Sequence, residues 1–259
     1  MTSTLPRRLA VITGTARVHG IGRSCARAFV RAGFSVLGVD VSKADEADED
    51  HGFQERYRHV VVDISNPAEV AFLPKALHKH FGDHHILVDC LVNNAGIADP
   101  HLPQDGDVID RWRQVIDVNL TGKPAGRRAF VVTQTLLPHL APGASIIHIS
   151  STRAVQSEPH TEAYAAAKAG LLGLTHAQAV SLAGKARVNA VLPGWIDTLG
   201  DPASLRQVDH DWHAVGRVGV PQDIAEACLF LADSSKSGFI TGQHFAVCGG
   251  TTIQMRWPE

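Results

Sequence analysis

Short apolar runs rich in β-branched residues alternate with longer helical patterns along this chain. Seven such runs predict strands, at 9–13, 35–40, 58–64, 89–96, 144–151, 186–194 and 243–250. Near-continuous apolar runs suit strands that are covered on both faces, as in a parallel sheet. Repeated strand–helix–strand units also imply right-handed crossovers. The pattern therefore predicts an α/β fold, a doubly wound parallel sheet of about seven strands with helices on both faces.

Five helices are predicted between these strands, at 21–32, 67–81, 129–140, 162–183 and 222–233. Asn66 is placed to cap one of them, with Pro67 in its first turn, and Pro221 opens another. No linker rich in proline, glycine or serine and no internal repeat divides the chain. We therefore expect a single domain over residues 1–259.

Composition narrows the possible partners. The chain has 259 residues, 44% of them hydrophobic, a net charge of −2 and no long basic run, which argues against nucleic acid or an anionic membrane as the main partner. The four cysteines are far apart and the 15 histidines are scattered, so we predict neither a disulfide framework nor a metal site. The first residues have too short an apolar run for a signal peptide. These features predict a soluble cytoplasmic protein.

A glycine-rich turn, TGTARVHGIG, follows the first predicted strand directly. Gly14, Gly20 and Gly22 would let backbone N–H groups approach a pyrophosphate at the start of the next helix. Asp40 ends the second strand, 18 residues after Gly22, where a carboxylate can accept hydrogen bonds from ribose hydroxyls. The same carboxylate would repel a 2′-phosphate. The turn therefore predicts a dinucleotide site that prefers NAD, although Asp40 could instead be only a turn residue.

Tyr164 and Lys168 stand four residues apart in the stretch TEAYAAAKAG, so in a helix both project from one face. One interpretation is an exposed helix on which two polar groups coincide. The other is that the ammonium of Lys168 makes the phenol of Tyr164 a stronger acid. The two residues alone do not decide between these interpretations.

An ordered set of motifs along the whole chain favours the second interpretation of Tyr164 and Lys168. In chain order these are the glycine turn, Asp63, NNAG at 93–96, Asn119 in DVNLTG, Ser151 in ISS, YAAAK at 164–168, PGWIDT at 193–198, GRVGVPQDIA at 216–225 and ITGQ at 240–243. Ser151 lies thirteen residues before Tyr164. In this order and spacing the chain resembles the short-chain dehydrogenase/reductase family over nearly all of its length.

The resemblance implies a Rossmann-type fold and a hydride transfer between a nicotinamide cofactor and a secondary alcohol or ketone. It implies Asn119, Ser151, Tyr164 and Lys168 as the catalytic group. Tyr164 would exchange the proton of the substrate oxygen, Ser151 would hold that oxygen, Lys168 would also hold the nicotinamide ribose, and Asn119 would hold a water. The implied cofactor contacts, besides Tyr164 and Lys168, are Gly14, Arg17, Gly20, Ile21, Gly22, Asp40, Asp63, Ile64, Asn94, Ala95, Gly96, Pro193, Gly194, Ile196 and Thr198.

The chain departs from the family pattern at several positions. Five residues separate the first two glycines of the turn, where the family has three, so Arg17 or His19 could approach a phosphate and allow some use of NADP. Cys248 replaces the usual aspartate and His148 a common asparagine, which we interpret as local packing changes. About six extra residues, KPAGRR at 123–128, predict a loop, with the helix restarting near Ala129.

The substrate is the least determined feature. Residues 199–215 form a short predicted lid that contains His210, Trp212 and His213. Arg153 would bind an acidic substrate group or form an ion pair with Glu158. An NADPH-linked carbonyl or 3-oxoacyl reductase, and a nucleotide-binding sensor without catalysis, are the alternative functions. Small residues on the helix at 162–183, together with the resemblance, predict a homodimer or homotetramer.

Overall fold

The structure is a computed structural model that describes residues 8–46, 49, 51–82, 86–97, 108–121 and 128–255. Its centre is a parallel sheet in the order β3-β2-β1-β4-β5-β6-β7. The strands are β1 Leu9–Thr13, β2 Ser35–Asp40, β3 Tyr57–Val61, β4 Val88–Asn93, β5 Leu140–Ile149, β6 Ala186–Pro193 and β7 His244–Val247. This arrangement confirms the predicted doubly wound sheet.

Helices cover both faces of the sheet. They are α1 Ile21–Arg31, α2 His51–Arg56, α3 Pro67–Val70, α4 Leu73–Phe81, α5 Val108–Ile116, α6 Arg128–Leu136, α7 Glu162–Ser181, α8 Gln207–Asp211, α9 Pro221–Ala232 and α10 Ser234–Ser237. A π-helical turn, Asp117–Thr121, follows α5, and short 3₁₀ turns occur at Leu137–His139, Thr152–Ala154 and Pro202–Ser204.

Alternate residues of each buried strand enter two separate hydrophobic cores. In β1, Val11 faces the core that is closed by α3, α4, α6 and α7, whereas Ile12 faces the core that is closed by α1, α2 and α9. Both side chains are fully buried. Because a parallel strand is covered on both faces, its sequence is apolar at successive positions, which is the pattern from which the sheet was predicted.

All seven predicted strands occur, but some predicted boundaries were wrong. The third strand ends at Val61 and not at Ile64, because the Asp63 carboxylate accepts hydrogen bonds from the backbone N and the Oγ of Ser65 and forms a turn there. Asn66 caps α3 as predicted, its Oδ1 accepting from Ala68 N at 3.1 Å.

The predicted helix at 67–81 is divided into α3 and α4. Pro74 explains the break, because it has no N–H and its ring would collide with the carbonyl of the residue four positions earlier. Helix α6 begins at Arg128, which confirms the predicted restart near Ala129 but puts the last residue of the predicted loop in the helix. Residues 123–127 of the extra segment lie outside the described residues. Helices α2, α5, α8 and α10 were not predicted. Within the described residues, no helix is both long and apolar enough to cross a membrane.

Candidate active site

The glycine turn joins β1 to α1 through a very close backbone approach. A β-carbon at Gly22 would lie 2.1 Å from the carbonyl oxygen of Gly14, and one at Gly14 would lie 2.6 Å from Nδ2 of Asn94. Gly14 also has φ +78°, a conformation that favours glycine. The Asn94 amide donates to the carbonyl oxygens of Thr13 and Gly14 at 2.9 and 3.1 Å. Gly14 and Gly22 therefore let the turn close against the end of β4.

Asp40 and Arg23 fix this turn from the next strand and from α1. The Asp40 carboxylate accepts from Ala16 N at 2.9 Å and from Ser42 N at 3.1 Å. The buried Arg23 donates from Nε to Thr15 O at 3.0 Å, and its Nη1 pairs with Glu49 at 3.3 Å. Burial acts to raise the pKa of Glu49, but hydrogen bonds from Arg27 and Arg23 hold it below its usual value. The turn is thus held in place by charge-assisted hydrogen bonds.

A cleft of about 490 Å³ opens above the turn, at the carboxyl ends of the strands. This is where doubly wound sheets bind their ligands. The predicted site residues that line it are Gly14, Arg17, Gly20, Ile21, Asp40, Asn94, Ala95, Gly96, Ser151, Tyr164, Lys168, Pro193, Gly194, Ile196 and Thr198. Sequence reasoning missed six further lining residues, Ala16, Ser42, Asp45, Ile97, Ile149 and Ser150.

Four predicted site residues do not line the cleft. Gly22 lies beneath the turn, and the Ile64 side chain is buried in the core. Asp63 forms the turn with Ser65 described above. Asn119 is buried, with its Oδ1 accepting from Ile97 N at 3.1 Å.

Tyr164 and Lys168 share one face of α7, as their spacing predicted. Nζ of Lys168 lies 5.5 Å from the centroid of the Tyr164 ring. The lysine is buried and donates to Ile149 O at 3.1 Å, while Ser150 Oγ donates to the backbone oxygen of Lys168 at 2.7 Å. These bonds tie α7 to the end of β5, which also places Ser151 beside the two side chains on the cleft wall.

Gly96 separates Asn119 from Lys168. A β-carbon at Gly96 would lie 2.7 Å from Oδ1 of Asn119 and 3.6 Å from Nζ of Lys168. Asn119 lies in the π-helical turn after α5, whose extra residue per turn alters the direction of its side chain. A larger residue at Gly96 would force these polar groups apart.

A second cavity of about 660 Å³ adjoins the cleft. Ser151, Tyr164, Gly194 and Ile196 line both, so the cleft and the cavity meet at these four residues. Arg153 and Glu158 form an ion pair on the cavity wall, which is one of the two possibilities that the sequence left open. In the part of the chain that the structure describes, no group of three or more histidine, cysteine, aspartate or glutamate side chains is placed to hold a metal ion.

Comparisons with known proteins agree with this geometry. A family model described as enoyl-(acyl carrier protein) reductase matches residues 14–252. An oxidoreductase of Thermotoga maritima is 37% identical over 98% of this chain and 100% of that protein. The cis-4-hydroxycyclohexanecarboxylate dehydrogenase of Sinomonas cyclohexanicum is 36% identical over 95% of this chain and 96% of that protein. The ligand-free aldohexose dehydrogenase of Thermoplasma acidophilum superposes with a TM-score of 0.80 at 30% identity, covering 99% of both chains.

The chain belongs to the short-chain dehydrogenase/reductase family. It is an oxidoreductase that acts on CH–OH and C=O groups with a nicotinamide cofactor.

Two positions at which this short-chain dehydrogenase/reductase departs from the family sequence are both buried. Cys248 packs on the backbone at the end of β6, where a β-carbon on Gly194 would lie 2.7 Å from its Cβ. His148 accepts from Asn93 Nδ2 at 3.2 Å and donates from Nε2 to Gln178 at 2.8 Å. Burial lowers the pKa of His148 to about 4. The Cys248 change fits the packing interpretation, whereas His148 joins a buried hydrogen-bond chain that the sequence did not reveal.

Proposed function

We propose that this enzyme is an NAD-dependent dehydrogenase of secondary alcohols, working reversibly on the matching ketones. The observation that supports the proposal is the meeting of two spaces, the 490 Å³ cleft over the glycine turn and the 660 Å³ cavity, at Ser151 and Tyr164. A dinucleotide in the first space and an alcohol in the second would have their reacting atoms beside these two hydroxyl groups.

The cleft has the features that a dinucleotide needs. The backbone N–H groups at the start of α1, which begins at Ile21, face the pyrophosphate position, and Gly20 at its N-terminal end leaves that approach free of a side chain. At the adenosine end, the described residues that line the cleft include two carboxylates, Asp40 and Asp45, and one exposed cation, Arg17. The two carboxylates can accept hydrogen bonds from ribose hydroxyl groups and would repel a 2′-phosphate more strongly than the single guanidinium attracts it. This charge balance supports NAD as the cofactor.

The nicotinamide, when bound, supplies or accepts the hydride. In the oxidation Tyr164 takes the proton from the substrate hydroxyl, and in the reduction it returns that proton to the carbonyl oxygen. Ser151 donates a hydrogen bond to the same oxygen and stabilises the charge that develops there. Ser151 Oγ already accepts from Arg153 N at 3.2 Å, which leaves its proton free to point toward the substrate.

Lys168 and Asn119 act on Tyr164 from behind. The ammonium of Lys168, 5.5 Å from the phenol ring, favours the phenolate by its charge, and it is held by Ile149 O. We assign Asn119 the holding of a water that passes protons between Lys168 and solvent. Both act on the reaction through Tyr164, so their removal should reduce turnover, and Lys168 also holds the nicotinamide ribose, so its removal should weaken NAD binding as well.

If the protein is an enzyme, the alternative function is an NADPH-linked carbonyl or 3-oxoacyl reductase. Arg17 supports this alternative, because its guanidinium could bind the 2′-phosphate of NADPH. The alternative outside enzymes is a nucleotide-binding sensor without catalysis. The presence of Ser151, Tyr164 and Lys168 on one wall favours catalysis over the sensor. The expectation of a cytoplasmic homo-oligomer stays a prediction.

The test compares the only two tyrosines of the chain. Tyr164→Phe should lose roughly 10²–10⁴-fold in turnover while it binds NAD as before. Tyr57→Phe is the matched control, because Tyr57 lies in β3 outside the cleft lining and its hydroxyl donates to Thr15 Oγ1, so turnover should be kept. Rates are measured with NAD and NADP on a panel of alcohols, and NAD binding by calorimetry. Near-normal turnover in Tyr164→Phe would refute the mechanism.

A further inference from the structure

The cavity beside Ser151 and Tyr164 has a wall that is rich in hydrogen-bonding side chains. Besides those two hydroxyl groups, the polar lining residues are Thr152, Arg153, Gln156, Ser157, Glu158 and Thr251. Trp195, Ile196 and Trp212 provide the apolar part. A substrate with a long hydrocarbon body would leave most of these polar groups without partners, which costs free energy. The wall therefore suits a substrate that is itself covered with hydroxyl groups.

Arg153 and Glu158 are the only charged side chains among the described residues that line this cavity, and they neutralise each other. The Arg153 backbone also donates to Ser151 Oγ at 3.2 Å, and the pair lines the same cavity as Ser151. A guanidinium has five N–H donors and a carboxylate about four acceptor positions, so each keeps free sites after they bind each other. Adjacent hydroxyl groups, each a donor and an acceptor, match such a pair.

The two indoles provide flat apolar surfaces on the cavity wall. Trp195 is 46% and Trp212 is 49% exposed, so both offer ring surface to a ligand. Trp195 is backed by the buried His213 at 6.2 Å between ring centroids, and His213 is fixed by a hydrogen bond from Nδ1 to Asp209 O at 2.9 Å. Each indole can therefore pack against the C–H face of a ring in the bound ligand.

We propose that the substrate of this enzyme is a neutral cyclic polyol, a monosaccharide or a cyclitol, whose adjacent hydroxyl groups bind the Arg153–Glu158 pair. The proposal rests on the proposed function, since it places the polyol at the reacting hydroxyl groups of Ser151 and Tyr164. A hydroxy acid would gain the guanidinium of Arg153 but would meet the carboxylate of Glu158 as a like charge. A fatty acyl group would find too few apolar side chains among the described residues that line the cavity.

The first test measures binding without turnover. The Tyr164→Phe enzyme with saturating NAD is titrated with aldohexoses, aldopentoses and cyclitols, and with cyclohexanol and cis-4-hydroxycyclohexanecarboxylate, by calorimetry and tryptophan fluorescence. We expect the best polyol to bind at least about tenfold more tightly than either comparison compound, since a site built for hydroxyl groups rejects ligands that lack them. Tighter binding of cyclohexanol or of the hydroxy acid would overturn the proposal. The sugar and cyclitol series show which of the two polyols is preferred.

The second test removes one charge of the pair. Glu158→Gln should raise KM for the best polyol about tenfold with a smaller change in kcat, and should improve binding of the hydroxy acid because Arg153 is released. Glu55→Gln, an exposed glutamate on α2, is the matched control and should change neither. An unchanged polyol KM in Glu158→Gln would contradict the assignment of the pair.

Different results would refute the proposed function and the polyol proposal. If polyols bind but no alcohol reduces NAD or NADP, the proposed function fails and the ligand class stands. If Tyr164-dependent oxidation occurs with cyclohexanol as readily as with every polyol, the function stands and the polyol proposal is refuted.

Discussion

The imidazole of His19 lies directly against Gly200. A β-carbon on Gly200 would lie 2.5 Å from Cγ of His19, and Gly200 has φ +72°, a conformation that side chains rarely adopt. His19 lies in the glycine turn, which has an extension of two residues between Gly14 and Gly20, and Gly200 lies in the 199–215 segment. The extension therefore connects the cofactor cleft to the predicted lid, a contact that neither motif indicates by itself.

We expect this contact to slow the release of NAD. His19→Ala removes apolar contact worth roughly 0.5–1 kcal/mol. That should speed dissociation by about two- to fivefold, measured by stopped-flow fluorescence. Gly200→Ala should speed NAD dissociation more than His19→Ala does. Its β-carbon would collide with the His19 ring, and alanine is also strained at the positive φ of this position.

The double variant provides the control. With His19→Ala in place, Gly200→Ala should lose the collision and keep only the backbone strain, so the two effects should not be additive. Additive effects would mean that the ring and the glycine do not act on each other.

Asp40 and Asp45 should set the preference for NAD. Asp40→Ala removes one of the carboxylates that a 2′-phosphate would meet, so the kcat/KM ratio of NAD to NADP should fall about tenfold or more. Asp45→Ala should lower it less, because Asp45 is exposed where Asp40 is half-buried, so solvent screens its charge more strongly. Wild-type enzyme that prefers NADPH would contradict the assignment and would make Arg17 the residue to change next.

Lys168 should differ from Tyr164 in what its loss affects. Lys168→Met keeps the length of the buried side chain but removes the charge beside the phenol and the group proposed to hold the nicotinamide ribose. We expect both a loss of turnover of about 10²-fold or more and a weaker affinity for NAD. Steady-state rates and calorimetry separate the two. An affinity equal to that of Tyr164→Phe would remove the ribose role.

The sequence predicted the sheet and most of the cleft because both depend on local patterns. Strands such as β1 are apolar on both faces, and the glycine turn can close only where Gly14 and Gly22 allow backbone contact. Three contacts could not be predicted in this way. The ion pair of Arg153 with Glu158 was one of two possible roles for Arg153. The contact of His19 with Gly200, and the hydrogen-bond chain from Asn93 through His148 to Gln178, join residues that are distant in the sequence. Their residues have no periodicity or spacing that separates them from ordinary polar positions, so only the fold reveals them.

Assembly should involve α7. Val180 on that helix is 78% exposed, although the helix is otherwise rich in small residues that permit close packing. We expect light scattering to give a dimer or tetramer at micromolar concentration, and Val180→Glu to shift it toward smaller species. Phe72→Glu, an exposed position between α3 and α4, is the control. A wild-type monomer would contradict the prediction.

The last prediction concerns the buried His148. Burial lowers its pKa to about 4 in the folded protein, against about 6.5 for an unfolded histidine. Between these pH values the unfolded chain binds a proton that the folded protein does not. His148 therefore does not reduce the free energy of unfolding above pH 6.5, and it reduces it progressively as the pH is lowered toward 4. The loss from this one group should be roughly 2 kcal/mol by pH 5 and roughly 3 kcal/mol at pH 4.

His148→Asn isolates that contribution. The variant should be less stable at pH 7.5, because it loses the hydrogen bond to Gln178 and leaves space in the core. Its free energy of unfolding should nevertheless fall less steeply than that of the wild type between pH 6.5 and 5, so the two curves converge. Urea denaturation at several pH values measures this, with the exposed His244→Asn as the control that should keep the wild-type slope. Parallel curves for His148→Asn and the wild type would show that the buried imidazole is not the group that resists protonation.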